Sequence, residues 1–112
     1  MSDKIPTIRD FDKIVRQERR AVIAGEEVDV SKIPSRVTLE IVQFGDGAER
    51  LDGKESFLRS VELVSKACLP SNPKITTDWL LDNTDFEQLM DFCEYVMEPL
   101  RLRAEGDGAA KN

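Results

Sequence analysis

Apolar residues recur at helical spacing in the C-terminal third of the chain. At about 100° per residue, one face of this segment collects Phe86, Leu89, Met90, Cys93, Val96 and Met97. Another face collects the carboxylates Glu87, Asp91, Glu94 and Glu98. Thr84 followed by Glu87 has the spacing of a capping box, in which each side chain bonds the backbone N–H of the other residue. The pattern predicts an amphipathic helix that begins at Thr84.

A helix is also predicted near the N-terminus. Thr7 followed by Asp10 is a start signal, and Gly25 is an end signal. The predicted apolar face consists of Ile8, Phe11, Ile14, Val15 and Val22. The opposite face carries a row of cations, namely Arg9, Lys13, Arg16 and Arg20. Residues 25–29 are predicted to be a short acidic link.

Residues 30–44 fit two patterns. Alternation of Val37, Leu39 and Ile41 is typical of a half-buried strand, and these residue types favour strands. A helical stripe is also present, formed by Ile33, Val37, Ile41 and Phe44. Ser31 is a good N-cap and Pro34 a good early helical residue. We favour a helix because these caps agree with the stripe and no partner strand is evident.

The rest of the chain extends the helical pattern. Residues 45–53 form a polar loop, and a helix is expected from about Lys54 to Leu69, ended by Pro70 and Pro73. Its predicted inward residues are Phe57, Leu58, Val61, Val64 and Cys68. Thr76 or Thr77 is expected to cap a short helix through Trp79, and Asn83 to take a left-handed conformation at its end.

These elements predict a mostly α protein, a small single-domain bundle of four to five helices. Pro99 is expected to kink or end the last helix. Residues 104–112 are small and polar, so we expect residues 1–103 to form the helical domain and 104–112 a disordered tail.

Composition narrows the possible functions. The chain has 112 residues, a net charge of −6 and no histidine. This charge argues against general affinity for nucleic acid or for anionic membranes. No apolar run approaches the roughly 20 residues of a membrane span, and the N-terminus lacks the apolar core of a signal peptide. Cys68 and Cys93 fall at apolar helix positions, which indicates free, buried thiols in a reducing compartment.

The acidic row of the last helix is the first candidate functional feature. No Lys or Arg occurs between Thr76 and Glu98. A solvated surface is the ordinary interpretation of such a row. The next is a protein partner with a basic surface, and the cationic row of the first helix is one candidate, either within one molecule or between neighbouring copies. A hard metal ion comes last, and neither a metal nor another cofactor is expected. Without a nucleophile–base set, we expect no enzyme activity.

The aromatic residues beside the acidic row are the second candidate feature. Phe92 and Tyr95 lie between the predicted apolar and acidic faces, where aromatic side chains can anchor a partner. Coverage by Trp79 or by another helix is the alternative, and it places them in the core. The predicted partner-binding residues are therefore Trp79, Glu87, Asp91, Phe92, Glu94 and Tyr95, together with Arg9, Lys13, Arg16 and Arg20.

Two segments resemble the tail assembly chaperones of long-tailed bacteriophages and related prophage elements. Residues 28–44 (VDVSKIPSRVTLEIVQF) have the Ile-Pro entry into an apolar helix that recurs in that family. Residues 75–100 (ITTDWLLDNTDFEQLMDFCEYVMEPL) are similar to its closing Trp-Leu-Leu-Asp helix pair. With the helix between them, the resemblance covers residues 28–102. It rests on apolar and acidic positions and contains no catalytic signature.

The resemblance implies a non-enzymatic function in virion morphogenesis. Members of the family bind and solubilise the helical tape measure protein and help to recruit tail tube subunits around it. They act in the host bacterial cytoplasm and are absent from the mature virion. Self-association is a further expectation. Two alternatives stay open: a small nucleic-acid-associated regulator that uses the basic face of the first helix, and a connector or adaptor that remains in the virion.

Overall fold

The computed structural model describes residues 8–46 and 51–109, with the backbone alone described for residues 101–109. This part of the chain is mostly helical, as predicted, and forms a small single domain. After one turn of 3₁₀ helix at Phe11–Lys13, the elements are β1 (Arg20–Ile23), β2 (Glu26–Asp29), α1 (Ser35–Gly45), α2 (Gly53–Cys68), α3 (Thr77–Asn83) and α4 (Phe86–Ala109). Much of the predicted 45–53 loop lies outside the described residues.

The predictions of a first helix and of an acidic link after it are wrong, because Arg20–Asp29 forms a β-hairpin. β1 and β2 pair antiparallel with Ala21 opposite Val28 and Ile23 opposite Glu26. Ala24 and Gly25 form the turn with φ of +49° and +83°. Positive φ at both turn positions matches the right-handed twist of the two strands. In the hairpin, Ile23, Val28 and Val30 are buried and Val22 is exposed, so Val22 does not belong to an apolar helix face.

The remaining part of the predicted first helix is an extended segment. Every residue from Ile8 to Glu18 is exposed to solvent. We call this segment the arm. Apart from the single 3₁₀ turn, which Asp10 caps by accepting a hydrogen bond from the N–H of Asp12 at 3.0 Å, the arm has no regular structure.

The helix predicted in residues 30–44 is confirmed, but its start differs from the prediction. α1 begins at Ser35, directly after Pro34. Ser31 does not cap it, because the Ser31 hydroxyl accepts a hydrogen bond from the N–H of Arg19 at 2.7 Å. Val37 and Ile41 are buried, and Leu39 is exposed. The strand alternative therefore fails at Leu39, which would share an inward face with Val37 and Ile41.

Helices α2 and α3 agree with the predicted boundaries. Asp52 caps α2 by accepting a hydrogen bond from the N–H of Glu55 at 2.8 Å, and the helix ends at Cys68, ahead of Pro70. Thr76 caps α3 by accepting from the N–H of Trp79 at 3.1 Å. Asn83 was expected to be left-handed, but it lies in the last turn of α3 and donates its side-chain amide to the Trp79 carbonyl.

The capping box of α4 is shifted by one residue from the predicted position. Asp85 accepts from the N–H of Gln88 at 2.8 Å, and Gln88 accepts from the N–H of Asp85 at 3.2 Å. Thr84 instead donates its hydroxyl to the Leu80 carbonyl at 2.6 Å. α4 does not end at Pro99, and its backbone continues through the predicted tail boundary to Ala109. Residues 110–112 of the predicted tail lie outside the described residues.

The hydrophobic core surrounds α2, which packs against α1, α3 and α4. Its most deeply buried side chains are Val28, Val61, Leu63, Val64, Cys68, Ile75, Leu80 and Val96. The buried hydroxyl of Ser65 donates to the Ile75 carbonyl at 2.8 Å, which ties α2 to the chain that enters α3. The cysteines are free and buried, as expected, and burial raises the pKa of the Cys68 thiol to about 12 and that of Cys93 to about 11.

A carboxylate clamp joins α1 to α2. Glu40 Oε2 accepts from Lys66 Nζ at 3.0 Å and from Arg59 Nη2 at 3.2 Å. Hydrogen bonds from Lys66 and then from Arg59 hold the pKa of Glu40 below its ordinary value of 4.5. The clamp is half-buried, so it orients the two helices at the edge of the core.

The turn of the hairpin offers a direct test. Ala24 has a Cβ in the left-handed region, which costs about 1–2 kcal/mol, whereas Asn tolerates this conformation. We expect Ala24→Asn to increase the free energy of unfolding by about 1 kcal/mol. Gly25→Ala is the control: its added Cβ meets no atom within 4 Å, so only the backbone conformation opposes it, and it should destabilise. Urea unfolding measures both, and a destabilised Ala24→Asn protein would contradict the turn geometry.

The Glu40 clamp predicts a dependence of stability on pH. The pKa of Glu40 is lower in the folded state than in the unfolded state. The clamp therefore contributes fully to stability above about pH 4.5, and this contribution is lost as the pH falls through the folded-state pKa. Glu40→Gln should therefore lower stability at neutral pH and flatten the loss of stability below about pH 4.5. Urea midpoints at several pH values measure this. Glu94→Gln, an exposed carboxylate of α4, is the matched control and should leave the acid profile unchanged.

Candidate protein-binding site

The Arg19 side chain connects the hairpin to α4. It is only 13% exposed. Its guanidinium lies 4.2 Å from the centre of the Tyr95 ring, which is a cation–π contact. Arg19 Nη2 also donates to the Tyr95 carbonyl at 2.9 Å and lies 3.8 Å from Glu98 Oε1. One side chain thus makes three different contacts with two successive turns of α4.

The hydrogen bond to the Tyr95 carbonyl explains how α4 continues through Pro99. A proline has no N–H, so the carbonyl four residues before it loses its helical partner. For Pro99 that carbonyl belongs to Tyr95, and Arg19 supplies the missing donor. The position of the hairpin is therefore matched to the position of the proline in α4.

The backbone around Arg19 is held as firmly as its side chain. Its carbonyl accepts from the N–H of Val30 at 2.8 Å, which extends the hairpin by one residue pair. Ser31 donates its N–H to Asp29 Oδ1 at 2.9 Å, and hydrogen bonds from Ser31 lower the pKa of Asp29. On the neighbouring residue, the Arg20 carbonyl accepts from the Tyr95 hydroxyl at 3.1 Å.

An open groove of about 340 Å³ lies between β1 and α4. We call it the β1 groove. It is lined by residues 20–23 of β1 and by Gln88, Asp91, Phe92 and Tyr95 of α4. Its volume is near the lower limit of roughly 300 Å³ for ligand pockets, and it is open to solvent. The groove can accept a few side chains of a polypeptide.

The predicted aromatic anchors occupy different environments. Phe92 is 6% exposed and belongs to the core, so the core alternative holds for this residue. Tyr95 and Trp79 are half-buried and pack against the core. The buried face of α4 is rotated toward Phe92 relative to the predicted face.

The same rotation turns two predicted core residues outward. Phe86 is 67% exposed and Met90 is 43% exposed. The Phe86 ring lies 5.1 Å from the ring of Phe57, a residue of α2. At helical spacing, Phe86 and Met90 lie beside Glu87, Asp91 and Glu94, which are exposed. We call Phe86, Glu87, Met90, Asp91 and Glu94 together the α4 patch.

The carboxylates of the α4 patch have no ion-pair partner within the part of the chain that the structure describes. Among the residues that the structure describes, no Lys or Arg lies within 4.0 Å of Glu87, Asp91 or Glu94. Glu98, the last member of the predicted acidic row, faces Arg19 instead. The α4 patch therefore presents uncompensated negative charge next to exposed apolar surface.

The predicted row of cations does not form a single face. Arg9, Lys13 and Arg16 lie on the arm, which is not an α-helix, so residues at helical spacing do not share a face there. Arg20 lies on the outer face of β1, with its Nε 2.9 Å from Glu18 and its Nη1 3.8 Å from Glu27. The row was predicted from helical spacing, and it is absent because these residues are not helical.

Sequence reasoning missed Arg19, Val22 and Gln88. Val22 and Gln88 line the β1 groove, and Arg19 fixes its walls. The available signal was Gly25 between two short segments, the apolar run Ala21–Ile23 and the alternating residues Val28 and Val30, which is compatible with a hairpin. Recognition of that turn would have placed Val22 on a strand.

Comparison with known protein families, curated proteins and solved structures finds no match for this chain. Within residues 8–46 and 51–109, no group of three or more acidic or thiol side chains is placed to hold a metal ion. None of the helices in that part of the chain is both long and apolar enough to cross a bilayer. What the described surface offers is a groove beside a strand and an apolar, acidic patch, which are both features of protein–protein contact.

Two neighbouring arginines provide a matched test of the hairpin anchor. We expect Arg19→Ala to lower the free energy of unfolding by about 2 kcal/mol, because it removes a charge-assisted hydrogen bond and a cation–π contact. Arg20→Ala should cost about 0.5 kcal/mol or less, since its ion pairs are exposed. Urea unfolding measures both variants. Equal losses in the two proteins would show that Arg19 does not anchor the hairpin to α4.

Proposed function

We propose that this chain is a tail assembly chaperone of a long-tailed phage or prophage. In this function it binds and solubilises the tape measure protein and helps to recruit tail tube subunits during tail morphogenesis. The observation that supports the proposal is the α4 patch, in which Phe86 and Met90 are exposed beside carboxylates that have no ion pair in the described part of the chain. The proposal also draws on the sequence resemblance over residues 28–102.

The chemistry of the α4 patch suits a helical partner with basic flanks. Exposed apolar residues at i and i+4 of a helix can receive the apolar face of an amphipathic helix. Surrounding carboxylates favour a partner that carries Lys or Arg beside its apolar residues, and they disfavour acidic competitors. The net charge of −6 keeps a complex with a hydrophobic partner soluble.

The patch is small, which fits a partner that must later be released. Two exposed apolar side chains give a weak contact for a single copy. Many copies bound along one long protein would hold it through avidity, and a growing tube would displace them one at a time. We place this activity in the host bacterial cytoplasm and expect the protein to be absent from the mature virion. No step in it requires catalysis or a cofactor.

The nucleic-acid alternative has lost its main support. It depended on a basic helix face that would lie on phosphates, and the four cations of that face are divided between the arm and β1. A connector that remains in the virion uses the same kind of surface as a chaperone. Analysis of purified particles separates these two functions, because the chaperone leaves and the connector stays.

Coexpression with the large open reading frame downstream of this gene tests the proposed function. We expect the long helical product to become soluble only with this chain bound in several copies. Phe86→Ser/Met90→Ser and Glu87→Lys/Glu94→Lys should each reduce the bound amount by about tenfold, because each removes one component of the α4 patch. The readouts are the soluble fraction and the stoichiometry after affinity purification.

Leu39→Ser is the matched control, since Leu39 is an equally exposed apolar residue on α1. It should leave binding and solubility unchanged. Circular dichroism checks that all variants stay folded, which is expected because the substituted side chains are exposed. A downstream product that is soluble alone, or equal binding by all variants, would contradict the proposal.

A further inference from the structure

The arm carries apolar side chains that contact nothing in the core. Phe11 is 63% exposed and Val15 is 95% exposed, and Ile8 and Ile14 are exposed as well. Four apolar residues within eight positions of an extended, solvated segment are unfavourable unless they are covered in the functional state. The proposed chaperone function does not use this segment.

The edge of β1 that faces the β1 groove is available for pairing except at the Arg20 carbonyl, which accepts from the Tyr95 hydroxyl. In an antiparallel hairpin, alternate residues direct their backbone groups to the partner strand, and the residues between them direct theirs away. Arg19 pairs with Val30, so the backbone groups of Ala21 and Ile23 also face β2. Those of Arg20 and Val22 face the groove. The Tyr95 hydroxyl bonds the Arg20 carbonyl on this side, which confirms the direction.

The groove and the arm are complementary in chemistry. An extended segment beside a free strand edge can add to it as a further strand, with its side chains in the adjoining groove. The groove offers the Tyr95 ring, the exposed Val22 side chain and the Asp91 carboxylate. As a strand, the arm places Phe11, Lys13 and Val15 on one face, so Phe11 and Val15 can meet the apolar surface and Lys13 the carboxylate.

The arm is poorly placed to fill the groove of its own chain. It joins β1 at Arg19, whose backbone is fixed by Ser31 and Val30. To lie along its own β1, it would have to reverse within residues 16–18. That segment is Arg-Gln-Glu, without the Gly, Asn or Asp that tight hairpin turns need.

We propose that the arm of one copy adds as a strand to β1 of a second copy, with Phe11 and Val15 in the β1 groove. A reciprocal exchange of arms between two copies makes a closed two-fold dimer. This assembly uses the side of α4 next to the hairpin, including Asp91, which also belongs to the α4 patch, and it leaves Phe86 and Met90 uncovered. The arm exchange does not require the proposed chaperone function to hold.

Sedimentation equilibrium over a range of concentrations tests the exchange. We expect the wild-type chain to form a dimer, and F11S/V15S to raise its dissociation constant by about tenfold or more. Val22→Pro should act in the same way, because it removes a backbone donor that faces away from β2 together with a side chain that lines the groove. Leu39→Ser, on α1, is the control and should dimerise like the wild type. If Val22→Pro fails to fold by circular dichroism, the arm variant alone decides this part.

Cysteine cross-linking distinguishes a second copy from the same chain. V15C and Q88C are made in separate chains that carry different tags, mixed and oxidised; the native thiols are buried. We expect a disulfide between the two chains. A monomer at all concentrations, a dimer unaffected by the arm variant, or a V15C/Q88C double variant that closes within one chain would each overturn the proposal.

Discussion

The Arg19 guanidinium is the interaction on which the arrangement of the hairpin and α4 depends. It stacks on the Tyr95 ring and donates to the carbonyl that Pro99 leaves without a helical partner. Without this donor, α4 would carry an unsatisfied carbonyl in a half-buried position, which costs about 1–3 kcal/mol. The two-stranded hairpin, which is only marginally stable alone, would lose its attachment to a helix. The Arg19 side chain therefore supplies the hydrogen-bond donor that the Tyr95 carbonyl of α4 lacks, and it holds the hairpin in place.

The hairpin and the buried face of α4 together define the surfaces that this helix offers. The buried face includes Phe92 and excludes Phe86 and Met90. Two neighbouring surfaces result on one helix. The β1 groove lies on the hairpin side and the α4 patch lies next to it, and Asp91 belongs to both. A protein with two such surfaces can contact its own copies and another partner at the same time.

Charge and packing together favour a binding function for these surfaces. The carboxylates of the α4 patch lie in an exposed row, where water solvates them at little cost and where they select partners more than they strengthen binding. The buried thiols have raised pKa values and stay protonated near neutral pH, so they act as small apolar core groups. The core is centred on α2, and the β1 groove and the α4 patch lie at its periphery.

The sequence by itself determined the elements whose signals are local. The Thr76 cap, the end of α2 before Pro70 and the α1 helix after Pro34 all follow from interactions within a few residues. The α4 helix was also predicted, with its cap displaced from Thr84 to Asp85. Tertiary structure decided that Arg20–Ile23 became a strand and not the end of a helix, because pairing with Glu26–Asp29 selected the extended conformation, and Ile8–Glu18 was left as the arm. It also decided the buried face of α4, since Arg19 meets Tyr95 across 76 positions of sequence.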